Sequence, residues 1–386
     1  MSQKFISLET PVQNLQYSKA WTFLTEKEKN YAYFISKASW AGAKMVFHQI
    51  SYEAPALFLV FQAYFQEKDF YKLEAAALAA GISAEDYSKF LAYAGGFYGN
   101  MSNYHNFGDL KFIPDLSAET FSAILKSNPL YKDTDIFYKE AIDSLLPEVL
   151  DVIFKIDKPY TQLNFPEEGG ITAYFSRNMT KTDLALVDKF AAAQGIDILN
   201  TRAFKKDGKY VLTVGSVKAE SKTVEFEGST FEIKFGEFAP YLEETVMYLK
   251  EALKYVANEN QQKMVEKYIE HFESGDITTH KDSQRYWVQD KGPVVESNIG
   301  WIETYVDPAN VRAYWEGWVA IVDKEKSKKF QALVTNSETV IPLLPWPKTM
   351  EKDKFLAPDF TTLEIICFAT NGCPLGINIP NYDDIR

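Results

Sequence analysis

The chain has 386 residues, 46% of them hydrophobic and 15% aromatic, enough apolar side chain to bury a large core, which excludes a disordered polypeptide. Its 41 Lys and Arg against 53 Asp and Glu leave a formal charge of −12, which argues against a general affinity for nucleic acid or an anionic membrane. Two cysteines, Cys367 and Cys373, make no disulfide framework and point to a reducing, cytoplasmic compartment.

The opening MSQKFISLETPVQ lacks the apolar core of a signal peptide. The longest apolar run, 54–61 with Pro55 inside it, is far too short to span a bilayer. Residues 26–65 read as helical, with apolar residues at three- and four-residue steps until Pro55. Helical patterns continue through 66–94, 117–127 and 136–153. The stretch FPEEGGITAYFSRN (165–178) is turn-rich and extended, and Thr180 with Asp183 forms a capping box ahead of LALVDKFAAA. KYVLTVGSV and KTVEFEGSTFEIKFGEF then read as strands, with EGST as a hairpin turn.

Helices return at 241–257, 259–273 and 279–290. GWVAIVDK reads as a strand and 325–340 as a helix, while 341–360, with four prolines, reads as a crossing or linker. LEIICFA and LGINIP close the chain as strands. The pattern is α+β and helix-dominated.

The chemistry-bearing residues are few. None of the histidines, His48, His105, His271 and His280, forms an i, i+4 or i, i+5 pair, and no cysteine pair has zinc-finger spacing, so no metal site is expected from this chain. There is no G-x-S-x-G elbow and no P-loop. Cys367 lies in an apolar strand and reads as a small buried hydrophobe. Glu167–Gly170, EEGG, reads as a plain turn or as a backbone nest for an anion.

In ESNIGWIETYVDP, Glu303 and Tyr305 point the same way if the chain is extended. A carboxylate and a phenol on one face can bind an ammonium and donate to a carbonyl oxygen. They can equally be a surface acid beside a packed tyrosine. In PLGINIP, Gly376 permits close backbone approach, while Pro374 and Pro380 offer no donor. Asn378 and Asn381, three apart, reach one ligand only if the chain bends at Pro380. Such a strand edge suits capture of an extended peptide by strand addition, or is an edge strand ending in an Asn-rich turn.

Taken together, NFGDLKFIP (106–114), FPEEGGITAYFSRN (165–178), YWVQDKGPVVESNIGWIETYVDP (286–308), EKDKFLAPDFTTLE (351–364) and GINIPNYDDIR (376–386) resemble the dipeptidyl peptidase III family of zinc exopeptidases. The resemblance runs in order over nearly the whole chain and is looser before Asn106 and through 179–240. It implies a two-lobed cytosolic enzyme that releases dipeptides from the free N-terminus of short peptides, and a monomer when complete. The lower lobe would be helix-rich around a five-stranded β-barrel core and the upper lobe mainly helical. On this reading 1–323 is lower lobe, 324–361 the first upper-lobe segment, and 362–386 a return strand lining the cleft.

The resemblance also implies roles. Glu303, Asn378 and Asn381 would bind the substrate ammonium, Tyr305 would hydrogen-bond the scissile carbonyl, and the backbone around Pro374 and Gly376 would pair with the peptide. Cys373 and Leu375 depart from the small or apolar residues expected there. The family's zinc motif, H-E-x-x-G-H, does not occur in these residues. The expectation is therefore an N-terminal half that ends before the zinc site, with zinc in the complete enzyme and none bound by this chain. The alternatives are a catalytically inactive peptide-binding fragment or an incomplete gene model.

Overall fold

Thr25 and Glu28 start the first long helix reciprocally. The Thr25 hydroxyl accepts from the Glu28 amide at 3.3 Å, and the Glu28 carboxylate accepts from the Thr25 amide at 2.7 Å. The computed structural model describes residues 4–132, 136–354 and 360–385, and in it helix α1 (Glu26–Ile50) buries a continuous apolar face from Tyr31 to Ile50. Pro55 sits in the first turn of α2 (Ala54–Tyr64), where its missing N–H costs nothing. Helices α3 (Phe70–Ala79), α4 (Ala84–Asn100), α5 (Ala118–Ser127) and α6 (Leu146–Ile153) complete the helical half around an aromatic cluster that includes Phe61, Phe90, Phe97 and Phe121. The predicted capping box at Thr180 and Asp183 starts α7 (Lys181–Ala193).

Two tight hairpins follow. Strand β1 (Thr201–Lys206) turns into β2 (Lys209–Gly215) through Asp207 and Gly208, both with positive φ, and β3 (Ser221–Phe226) turns into β4 (Ser229–Glu237) through Glu227 and Gly228 in the same way. Their sheet has the order β1-β2-β4-β3, with β2 and β4 parallel. Helices α8 (Ala239–Ala252), α9 (Glu259–Ser274) and α10 (Ile277–Trp287) lead to a second sheet. It is antiparallel, with the order β5 (Val295–Glu303), β6 (Tyr314–Val322), β7 (Leu363–Ala369).

The mixed α+β class is as expected, but the five-stranded barrel is not formed among the described residues. The strands make two open sheets, of four and three strands, separated in the chain by three helices. The stretch LGINIP is also not a strand. Pro374 and Pro380 lack donors, and Ile377 and Ile379 pack against Trp318, Ala320 and Phe368, so this segment lies across a sheet face instead of extending its edge.

The opposite face of the second sheet packs on α1. Trp315 Nε1 donates to the Ser39 carbonyl at 3.0 Å, and a Cβ on Gly42 would lie 2.1 Å from the Trp315 ring. Between β6 and β7 the chain runs through α11 (Lys324–Thr335), which buries no residue. Residues 355–359 of the proline-rich crossing lie outside the described residues.

Candidate functional site

Strand register decides which side chains share a face. Glu303 stands opposite Tyr314, Gly300 opposite Glu316 and Asn298 opposite Trp318, and directly paired residues of antiparallel strands point to the same side. One face of β5–β6 therefore carries Glu303, Glu316, Asn298 and Trp318, while Trp301 and Trp315 occupy the other. A register shift between Trp301 and Glu303 keeps Glu303 on its face.

Helix α10 lies along the polar face with matching repeat. Four helical residues rise about 6 Å and two strand residues about 6.8 Å. His280, Gln284 and Trp287, four and then three residues apart, thereby meet Ile299–Gly300, Asn298 and Glu296 of β5. His280 Nε2 lies 3.0 Å from the Ile299 carbonyl, Asn298 Nδ2 donates to Gln284 Oε1 at 2.8 Å, and Trp287 Nε1 donates to Glu296 Oε1 at 2.7 Å. Gly300 is required here, because a Cβ would stand 2.3 Å from His280 Nε2.

The C-terminal stretch crosses above. Asn381 Nδ2 donates to the Ile302 carbonyl at 3.0 Å, the Tyr382 hydroxyl meets His280 Nδ1 at 2.9 Å, and Asp384 pairs with Arg285 at 2.9 Å and Lys281 at 3.5 Å. Under this crossing is a cavity of about 450 Å³ whose lining includes Glu303, Asn298, His280, Lys281 and Asn381. A second cavity, of about 460 Å³, is lined by Tyr305, Asn106–Asp109, 162–164 and 306–308 with Asn310. Glu303 and Tyr305, expected to point the same way in an extended chain, line different cavities, because β5 ends at Glu303. Tyr305 is 51% exposed, and its ring lies 6.0 Å from that of Phe107. Burial, and after it the Glu303 charge and hydrogen bond, holds the Tyr305 phenol above its usual range. Pro374, Gly376 and Asn378 are exposed along the crossing segment, and Asn378 lines neither cavity.

Glu316 was not singled out by sequence reasoning. It is an acid inside the apolar strand YWEGWVAIV, one residue before the run first read as a strand, and that interruption is the signal that could have found it. Burial, and then the nearby Glu303 charge, pushes its carboxyl up to about 8. Glu316 Oε1 and Asn298 Oδ1 are buried acceptors with no partner among the described residues, as is the Trp318 Nε1 donor on the same face. Buried polar atoms are rarely left so. Glu316, diagonal to Glu303 across the strand pair, offers an open acceptor next to that carboxylate, and Asn298 offers another further along the same face.

Three of the histidines are engaged by the fold. His280 engages both nitrogens as above, His271 Nδ1 meets the Asp276 carbonyl at 2.7 Å, and His48 Nε2 meets the Tyr241 hydroxyl at 3.2 Å. Among the described residues no group of three or more His, Cys, Asp or Glu side chains could hold a metal. Cys367 is buried in β7, where burial raises its thiol to about 11, and Cys373 is exposed; both are free. No helix among the described residues is long and apolar enough to cross a membrane.

Comparison with known proteins sets this geometry in context. The family model described as peptidase family M49 matches residues 145–386. A dipeptidyl peptidase 3 of Dictyostelium discoideum is 42% identical over 381 residues, covering 98% of this chain and 53% of that protein. The Homo sapiens dipeptidyl peptidase 3 is 40% identical over 401 residues, covering 100% and 54%. The structure of DPP III from Caldithrix abyssi superposes with a TM-score of 0.59 at 13% identity, covering 99% of this chain and 56% of that one. The dipeptidyl-peptidase III structure from Corallococcus sp. strain EGB gives 0.52 at 14% identity, covering 94% and 51%. The chain thus spans about half the length of the curated relatives it matches.

Proposed function

This chain belongs to peptidase family M49, and from that premise we propose that it forms the substrate-binding part of a dipeptidyl peptidase, gripping the free amino end of a short, extended peptide. The observation that carries this reading is a pair of acids on one sheet face: the Glu303 carboxylate and, diagonal to it across β5–β6, the unpartnered Glu316 Oε1. An ammonium has three donors and no acceptor, and it complements such a face. Asn381, anchored one residue from Glu303, narrows the same cavity. Asn378, Gly376 and Pro374 would meet the peptide further along the exposed segment. Tyr305 would donate its hydroxyl to a peptide carbonyl near the scissile bond.

Zinc, implied for the whole enzyme, would polarise the scissile carbonyl and activate water. It has no ligand set among the described residues of this chain. The roles we assign to the residues named here are binding and orientation. The proposed division, with 324–361 as an upper-lobe segment, is supported by the absence of buried residues from α11. Two free cysteines accord with the cytoplasmic compartment we assign.

Calorimetric titration of the chain with tetraalanine, free or N-acetylated, tests the reading. The free-amine peptide is expected to bind and the acetylated one to bind much more weakly. Charge-assisted hydrogen bonds are worth about 1.5–3 kcal/mol, so Glu303→Gln is expected to weaken the free peptide by about tenfold or more and to leave the acetylated one unchanged. Equal affinity for the two peptides would remove the ammonium from the account.

A further inference from the structure

We propose that His280 is a positioning residue for this site: it clasps the Tyr382 hydroxyl and so holds the 379–381 wall of the cavity against β5. The inference rests on the peptide-binding reading for its consequence, but the clasp itself is a matter of geometry. His280 Nε2 faces the Ile299 carbonyl at 3.0 Å. A carbonyl only accepts, so Nε2 carries the ring proton and Nδ1 presents a lone pair. The Tyr382 hydroxyl, 2.9 Å from Nδ1, must then donate to it. The direction of every bond in the chain from Ile299 to Tyr382 is thereby fixed.

The imidazole is a rigid post. It is 1% exposed, it lies against the bare Cα of Gly300, and its ring centroid is 5.0 Å from that of His271 and 5.7 Å from that of Tyr268. Burial lowers His280 to about 4 and raises the Tyr382 phenol, so neither group ionises near neutral pH. The residue before Tyr382 is Asn381, whose amide is tied to the Ile302 carbonyl beside Glu303. The ion pairs from Arg285 and Lys281 to Asp384 are between partly exposed charges, and such pairs contribute little. The buried His280–Tyr382 bond is thus a stronger tie on the wall than these ion pairs.

The test uses the 386-residue chain and the variants Tyr382→Phe, His280→Leu and their double. Tyr382→Phe removes one oxygen and keeps the ring, so it carries the test even if His280→Leu fails to fold. Amide hydrogen exchange over 377–384 is expected to accelerate in each single variant while β5–β7 stay protected. Affinity for tetraalanine is expected to fall about tenfold, the scale of one hydrogen bond and its ordering. The double variant is expected to lose no more than the worse single one, since both remove the same tie. Imidazole ¹⁵N shifts should report the Nε2–H tautomer for His280.

Unchanged exchange in Tyr382→Phe, additive losses in the double, or an Nδ1–H tautomer would each overturn the clasp. If the unaltered chain does not bind tetraalanine, the peptide-binding reading falls, and the exchange comparison still decides whether the clasp exists.

Discussion

Glu316 and His280 are both buried on the same side of β5–β6, and they make stability depend on pH in opposite senses. The Glu316 carboxyl is raised from 4.5 to about 8, so the folded state binds the extra proton. Its contribution is complete below about 4.5 and is lost as pH rises toward 8. His280 is lowered from 6.5 to about 4, so the unfolded state binds the extra proton, and its contribution is complete above 6.5 and is lost as pH falls toward 4. Each such group changes stability by at most about 1.4 kcal/mol per pH unit within its window. Glu316→Gln is therefore expected to match the unaltered chain in urea midpoint at pH 5 and to exceed it at pH 8.5. Parallel midpoints across that range would mean that Glu316 does not enter the fold protonated. A peptide ammonium arriving beside the pair would favour the ionised form. Binding of tetraalanine at pH 7 is accordingly expected to release a proton, read as an enthalpy that varies with the ionisation heat of the buffer.

At the scale of elements, helix α1 sets the height of the sheet that carries these residues. Gly42 lets the helix backbone approach Trp315 so closely that an added Cβ would lie 2.1 Å from its ring, and Gly317 likewise faces Ser39 with a Cβ distance of 2.8 Å. Gly42→Ala would gain about 1 kcal/mol of helix propensity. The indole cannot retreat without breaking its bond to the Ser39 carbonyl, and overpacking of this kind costs about 1–3 kcal/mol. The net expectation is a lower urea midpoint; an unchanged or raised one would show that Trp315 can repack. Gly42 stood in the sequence as one more small residue on a helix, since its partner is 273 positions away. The same reason divides what was legible from what was not. The capping box at Thr180, the Glu227–Gly228 turn and the apolar run of β7 are local signals, and each became the element expected. Strand alternation does not reach Tyr305, because β5 ends at Glu303 and the two residues line different cavities. The pairing of His280 with Tyr382, the burial of Glu316 against Glu303 and the two-sheet arrangement in place of a barrel depend on contacts across tens to hundreds of residues. LGINIP misled for a physical reason: its alternating isoleucines fit a strand, but here they bury themselves on a sheet face while flanking prolines keep the backbone out of the ladder.

At the scale of the whole molecule, the proposed division sets 324–361 apart from the unit that holds the site. Val322 and Leu363 are directly paired, and the Asp323 amide donates to the Thr362 carbonyl at 2.9 Å. The chain therefore leaves and re-enters the sheet at one point. Between them, α11 buries nothing, and Leu343, Trp346 and Met350 are exposed. If the excursion is a separate unit, β6 and β7 need only a short turn to stay paired. Replacing 325–361 with a four-residue Gly/Ser link shortens the closed loop roughly eightfold, which relieves about 2 kcal/mol of closure entropy. The shortened chain is expected to unfold at an equal or higher urea midpoint and to bind tetraalanine with unchanged affinity, because Glu303, Glu316, His280 and Asn381 all lie outside the excised stretch. Removing the exposed Leu343, Trp346 and Met350 is expected to lower self-association in sedimentation. A midpoint well below that of the parent chain would mean that 324–361 supports the second sheet after all, and the boundary after 323 would have to move.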